Sequence, residues 1–161
     1  MVLFVLLYNH HHHNKEIKMA NIVPHSFKSE LLSGTHNFAN GGDQFKLPLY
    51  TSNPYTTSST AYDTTNEVSS GGSSNYVTTG KVLQNQAVVT GTGTATVDFD
   101  NLTYSSATFA AAFGAIYNDS KSDKLCVVLD FGGTKTATNG DFTIVFPDPS
   151  TPANAIISLT S

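Results

Sequence analysis

The chain reads as an all-β domain, an antiparallel β-sandwich or jelly-roll-like fold with one short helix near its start. Three observations predict it. Apolar and polar residues alternate at period two, as in Thr94 to Asp100, where Ala95, Val97 and Phe99 oppose Thr94, Thr96, Asp98 and Asp100. Clusters of Asn, Asp, Ser and Gly punctuate these stretches as turn signals. Charged residues make up only 12% of the 161, about half the usual share. With Thr, Ser, Asn and Gly dominant, the composition suits pleated, half-exposed strands better than long helices.

A chain of this length supports one hydrophobic core, and a single β-sandwich domain is expected over residues 19–161. Residues 1–18 differ from everything after them. Met19-Ala20-Asn21 has the look of a natural start, which makes Met1 to Lys18 an N-terminal extension or arm. On one reading it is missing from the mature protein; on the other its apolar run is covered by a neighbour as an added strand. Val2 to Tyr8 is apolar but too short to span a bilayer, and it lacks the flanks of a signal peptide. No membrane association or classical secretion is expected. His10 to His13 lack an accompanying carboxylate or cysteine shell, so neither a metal site nor any cofactor is expected there.

Pro24 to Gly34 is the helix candidate, with Ser26 as its cap, Phe27, Glu30, Leu31 and Leu32 on one side, and Gly34 at its end. Two turns need packing against a sheet to persist. His25 and His36 flank it as surface or turn residues. Phe45 to Tyr50 alternates, but Pro48 removes a ladder donor and assigns it to an edge. Thr51 to Gly80 is a long, polar segment bordered and punctuated by Tyr50, Tyr55, Tyr62 and Tyr76. It is expected to be an ordered surface loop that offers tyrosines for contact.

Strand signals resume with Val82 to Val89 and Thr94 to Asp100 around the turn Thr90 to Gly93, and Leu102 and Tyr104 continue the second of them. Phe109 to Tyr117, Leu125 to Phe131 and Asp141 to Phe146 then read as a three-strand meander. Its joints are the cluster Asn118 to Asp123 and the stretch from Gly132-Gly133 to Asn139-Gly140. The unbroken run Leu125 to Leu129 implies burial on both faces. Ala155 to Leu159 closes the fold after the stiff connection Pro147 to Pro152, for seven or eight strands in all.

Little in the sequence points to chemistry. The net charge is −4, and all eight basic residues are Lys, which leaves no footprint for nucleic acid and none of the bidentate contacts that arginine supplies. Cys126 sits within the apolar run as a small core hydrophobe. Gly91-Thr92-Gly93 and Gly133-Thr134-Lys135-Thr136 fall short of phosphate-binding loops and read as hairpin turns. Asp98 and Asp100 lack the further oxygen ligands of a calcium loop and belong to an exposed polar face. Asn101-Leu102-Thr103 and Asn118-Asp119-Ser120 are formal glycosylation sequons, expected to stay unused without a secretion signal. The sequence shows no nucleophile elbow, no Cys-His pair and no zinc spacing, so no catalytic residue is assigned and the chain is not expected to be an enzyme.

The segments FKSELLSGTHNF, QFKLPLYTS, TTNEVSSGG, ATVDFDNLTY, FGAIYNDS, VVLDFGGTKTATNGDFTIVFP and NAIISL occur in that order. Over Met19 to Leu159 the chain thereby resembles a family of small virion proteins encoded by tailed bacteriophages. The resemblance implies a structural role on the particle, first as a capsid decoration or cement protein on the shell exterior, made in the host cytoplasm. It further implies the major capsid protein as partner and symmetric self-association, trimers above all. Composition and expected exposure nominate Phe27, Leu31 and Leu32 near the helix, with Tyr55, Tyr62 and Tyr76 of the polar loop, as assembly contacts. The alternative is a tail or fibre component that binds a receptor or carbohydrate through its tyrosine-bearing loops. Against it stands the absence of Trp for sugar stacking.

Overall fold

The computed structural model describes residues 22–148 and 155–160 in full, and the backbone of two short strands upstream, β1 (Leu6–Tyr8) and β2 (Glu16–Lys18), which pair as a hairpin. His10 to His13 and the other residues of the first 21 outside these two strands lie outside the described residues. The fold is all-β and sandwich-like, and every strand pairing is antiparallel. One short helix, α1 (His25–Leu32), stands among the described residues.

The larger sheet holds β3 (Phe45–Leu47), β4 (Leu49–Tyr50), β5 (Lys81–Val82) and two long strands, β8 (Leu102–Asn118) and β9 (Lys124–Ile144). Its order is β4-β8-β3-β5, with β9 along β8. The smaller sheet holds β6 (Ala87–Gly91), β7 (Thr94–Asp98) and β10 (Ile157–Thr160) in the order β10-β7-β6. Val97 and Ile157 of the smaller sheet share one core with Phe45, Leu47 and Phe109 of the larger. Aromatic packing dominates that core: Phe38 stacks on Phe45 at 4.3 Å, and Phe99 meets both edge-on. A second cluster, Tyr50, Tyr55, Ala115, Leu125 and Val128, covers other side chains of the same sheet. The run Leu125 to Leu129 therefore divides between two cores, as burial on both faces requires.

Several boundaries differ from those the sequence suggests. The expected meander is a two-stranded ribbon, because β9 runs unbroken for 21 residues. Gly132 (φ 72) and Gly133 (φ 134) make an irregularity inside it rather than a turn, and the register against β8 shifts between Ala111 and Phe113. Asn139 (φ 45) also stays in the ladder, where its N–H donates to Thr108 Oγ1 at 2.9 Å. The stretch Gly133 to Thr136 is consequently no hairpin, whereas Thr92-Gly93 does turn β6 into β7. Val82 to Val89 splits at Asn85 (φ 53) into β5 and β6, and Leu102 opens β8 instead of extending β7.

Within Phe45 to Tyr50, β3 lies between β8 and β5 and is no edge, whereas β4 ends the sheet order, with Tyr50 bridged to Glu67. Pro48 separates β3 from β4, both of which pair with β8, and apart from half-buried Lys46 the six residues are buried. The missing donor is tolerated at the break between the two strands, where Pro48 still accepts the Ala115 N–H at 3.1 Å.

Helix α1 forms where expected, but Ser26 does not cap it. Pro24 holds the cap position without a side-chain bond, and the Ser26 hydroxyl reaches the Ser59 carbonyl at 3.5 Å. Eight residues are too few for an independent helix. Burial of Phe27, worth about 2–3 kcal/mol, pins it to the sheet together with half-buried Leu31. Leu32 points outward and is 92% exposed.

Candidate functional site

The segment between β4 and β5 carries few apolar residues, yet it is fixed by hydrogen bonds from tyrosine hydroxyls. Glu67 is the hub. Its Oε2 accepts the Tyr76 hydroxyl at 2.6 Å and the Thr79 N–H at 2.8 Å, while Tyr62 donates to its Oε1. Tyr76 in turn accepts the Leu49 N–H at 3.0 Å, which ties the loop to β4. Nearby, Tyr50 donates to the Asp63 carbonyl at 2.7 Å, Tyr55 lies 2.5 Å from Tyr50 Oη, and the Asp63 N–H donates to Tyr55 at 2.9 Å. Tyr117 of β8 stacks on Tyr62 at 4.7 Å and donates to the Thr79 carbonyl at 2.9 Å. Tyr104 stacks on Tyr76 and accepts the Lys81 N–H, with Lys81 Nζ lying 4.6 Å from the centre of its ring.

This geometry corrects the expectation of a loop that presents its tyrosines. Tyr55 and Tyr76 are each 4% exposed and Tyr62 is half-buried. Phenol rings fill the space that aliphatic residues would fill elsewhere, and their hydroxyls are spent on Glu67 and backbone groups. Of the helix residues nominated with them, Phe27 is wholly buried, Leu31 half-buried and Leu32 exposed. The structure therefore takes Tyr55 and Tyr76 into the interior and lays half-buried Tyr62 against Tyr117, rather than gathering the three into one outward patch with the helix. Burial raises the tyrosine pKa values, to about 12 for Tyr55 and Tyr104 and higher for Tyr50, Tyr62, Tyr76 and Tyr117.

A second polar chain crosses the domain beneath α1. Lys121 Nζ donates to Asp43 Oδ1 at 2.9 Å, and Asn118 Nδ2 donates both to Asp43 Oδ2 at 2.9 Å and to His36 Nδ1 at 2.9 Å. Asn118 Oδ1 accepts the Ser120 N–H at 3.0 Å, which fixes the orientation of its amide. With Nδ1 accepting, His36 carries its proton on Nε2 and donates it to Glu30 Oε1 at 3.0 Å. Burial by itself raises the Asp43 pKa, but hydrogen bonds from Lys121, Asn118 and the Asn37 N–H outweigh it and hold the carboxyl below its usual value.

Of the two histidines read as surface or turn residues, His36 has a fully buried side chain and His25 is exposed. Cys126 Sγ lies 3.9 Å from His36 Nδ1, a Cys-His juxtaposition across 90 residues that no local spacing announces. Burial pushes the thiol well up, and the residue behaves as a core hydrophobe. Asn118 of the second sequon is wholly buried with its amide engaged. At the start of the smaller sheet's connection to β8, burial pushes the Asp98 carboxyl up and the charges of Asp100 and Asp148 add to the effect.

A groove of about 280 Å³ opens beside Asp43, between residues 40–44 and 82–86. Gln44, Gln84, Asn85 and Gln86 line it with amides. Among the described residues no group of three or more His, Cys, Asp or Glu side chains is arranged to hold a metal ion. No helix there is long and apolar enough to cross a membrane. Glu67 and Asp43 are absent from the residues the sequence nominates, and His36 figures there only as a surface or turn residue. Only Glu67 left a signal, as one of two carboxylates in an otherwise uncharged, tyrosine-punctuated stretch. Comparison with protein-family models, curated proteins and solved structures finds no match to this chain.

Proposed function

We propose that this chain is a structural protein of a tailed-phage particle, a capsid decoration or cement protein that binds the outside of the shell where major capsid subunits meet. The resemblance of the ordered segments from Phe27 to Leu159 supports the reading. The structural observation that carries it is the Glu67 hub, which holds a long polar loop rigidly on a sheet. A module preorganised in this way binds repeated sites without ordering its loops on contact. Asp43, Glu67 and Lys121 are engaged in internal bonds, and the proposal assigns no catalytic residue.

Within this reading the contact surface centres on Leu32, which projects from α1, with half-buried Leu31 beside it on the same helix. Self-association as a trimer would match the local symmetry of a shell. Binding to the assembled shell alone stabilises it by mass action. The test is co-sedimentation of the purified chain with expanded shells that lack it. Saturable binding, weakened at least about tenfold by Leu32→Ser, a loss of about 1.4 kcal/mol, is the expected result. No binding to shells at any concentration would refute the proposal.

A further inference from the structure

The groove beside Asp43 presents acceptors whose orientation is fixed. Gln44 Nε2 donates to Asp119 Oδ2 at 2.7 Å, and Asn85 Nδ2 donates to Asp100 Oδ2 at 2.5 Å. Gln86 Nε2 donates to the Asp43 carbonyl and, at 3.4 Å, to the Ala39 carbonyl. Each partner is a carboxylate or a backbone carbonyl, so the nitrogen end of each amide is identified by what it touches. The three side-chain oxygens remain, and no donor reaches them among the described residues. Gln86 is the firmest of the three. It is only 8% exposed while it lines the groove, and its doubly tied nitrogen prevents the amide from turning over.

We propose that this groove binds a guanidinium or alkylammonium group. An array of fixed acceptor oxygens favours a ligand that donates and does not accept, which describes these two cations better than a sugar hydroxyl. The surrounding charge has the matching sign. Asp119 is shared with Lys46 at 3.6 Å and Asp43 with Lys121, but no lysine pairs with Asp100 among the described residues. Asp98 adds a further carboxyl near Asp100. The chain has no arginine, so a guanidinium would come from another molecule: a partner protein's side chain or a free amine.

The test follows the side-chain amide resonances of Gln44, Asn85 and Gln86 by NMR in the isolated full chain. The probes are agmatine, a blocked Gly-Arg-Gly peptide and methyl glucoside. Saturable shifts with agmatine, the peptide or both support the site, at least tenfold weaker in Asn85→Gly, an exposed position where glycine keeps the positive φ and spares the core. A peptide that binds as well as agmatine identifies a protein side chain as the ligand; agmatine alone identifies a free amine. No shift with either cation, equal shifts with methyl glucoside, or shifts unchanged in Asn85→Gly would overturn the proposal. Gln86→Leu, with backbone resonances elsewhere unchanged, should abolish the shifts. Because the isolated chain is used, failure here is distinct from failure to bind shells.

Discussion

Glu67 and Tyr76 close the long polar loop onto the sheet: the Tyr76 hydroxyl donates to Glu67 Oε2 at 2.6 Å while it accepts the Leu49 N–H at 3.0 Å. Removing the carboxylate strands two hydroxyls and the Thr79 N–H at once. Glu67→Ala should cost about 3 kcal/mol and Glu67→Gln about 1–2 kcal/mol, since an amide oxygen retains part of the acceptor role. Urea denaturation of the three proteins measures both. A loss under about 0.5 kcal/mol for the alanine variant would mean that the loop is held by something else.

The tyrosines make stability sensitive to alkali. Burial raises the folded-state pKa of all six tyrosines from Tyr50 to Tyr117, to about 12 for Tyr55 and Tyr104 and higher for the others. A group that holds its proton more tightly when folded contributes fully below its unfolded pKa, about 10, and the contribution fades as pH rises beyond that value. Tyrosinate absorbance should therefore appear in one cooperative step together with loss of the β signal in circular dichroism. Gradual ionisation near pH 10 of a chain that stays folded would contradict the buried network.

Thr79 sits in the left-handed region with φ 77, an uncommon state for a β-branched residue. It is clamped there by Glu67 on its N–H and Tyr117 on its carbonyl. Thr79→Gly keeps both backbone bonds and relieves the strain, for a net gain of about 0.5–1 kcal/mol after the entropy of the added glycine. Next to it, Gly80 has φ 84, and Gly80→Ala would drive a Cβ into Pro48 N and the Leu47 carbonyl carbon. Neither backbone atom can yield, and a loss of about 3 kcal/mol or more is expected. Thermal unfolding of the two neighbouring variants should shift in opposite directions.

Acid acts through Asp43, whose folded-state pKa lies below 3.8. A carboxyl depressed in the folded state lends stability above its unfolded pKa, and this is lost as pH falls through the folded value. Asp43→Asn should lower stability by about 2 kcal/mol at neutral pH. It should also flatten the decline below about pH 4. Melting temperatures across a pH series from neutral to acid give both results; parallel curves for the two proteins would show that Asp43 does not carry the acid sensitivity.

The fold class was legible because it rests on local pattern: the alternation through Thr94–Asp98, the doubly buried run from Leu125, and the short helix around Phe27. Gly132-Gly133 misled because positive φ serves a bulge as well as a turn. Only pairing with β8, the strand before it, decides between them. The tyrosine loop misled for a related reason. Its composition reports low hydrophobicity, but burial depends on an acceptor at Glu67 and backbone partners that folding brings within reach. Asn118 and His36 meet across 82 residues, a separation that leaves no trace in local spacing.

On the function proposed above, this chain is a repeated component of a virion shell. The decisive measurement is quantitative mass spectrometry of purified particles of whichever phage carries the sequence, scored against the major capsid protein. A decoration protein at capsomer junctions should be present at about one copy, or about one third of a copy, per capsid subunit. A ratio below about one in twenty, or absence from the particles, would contradict it.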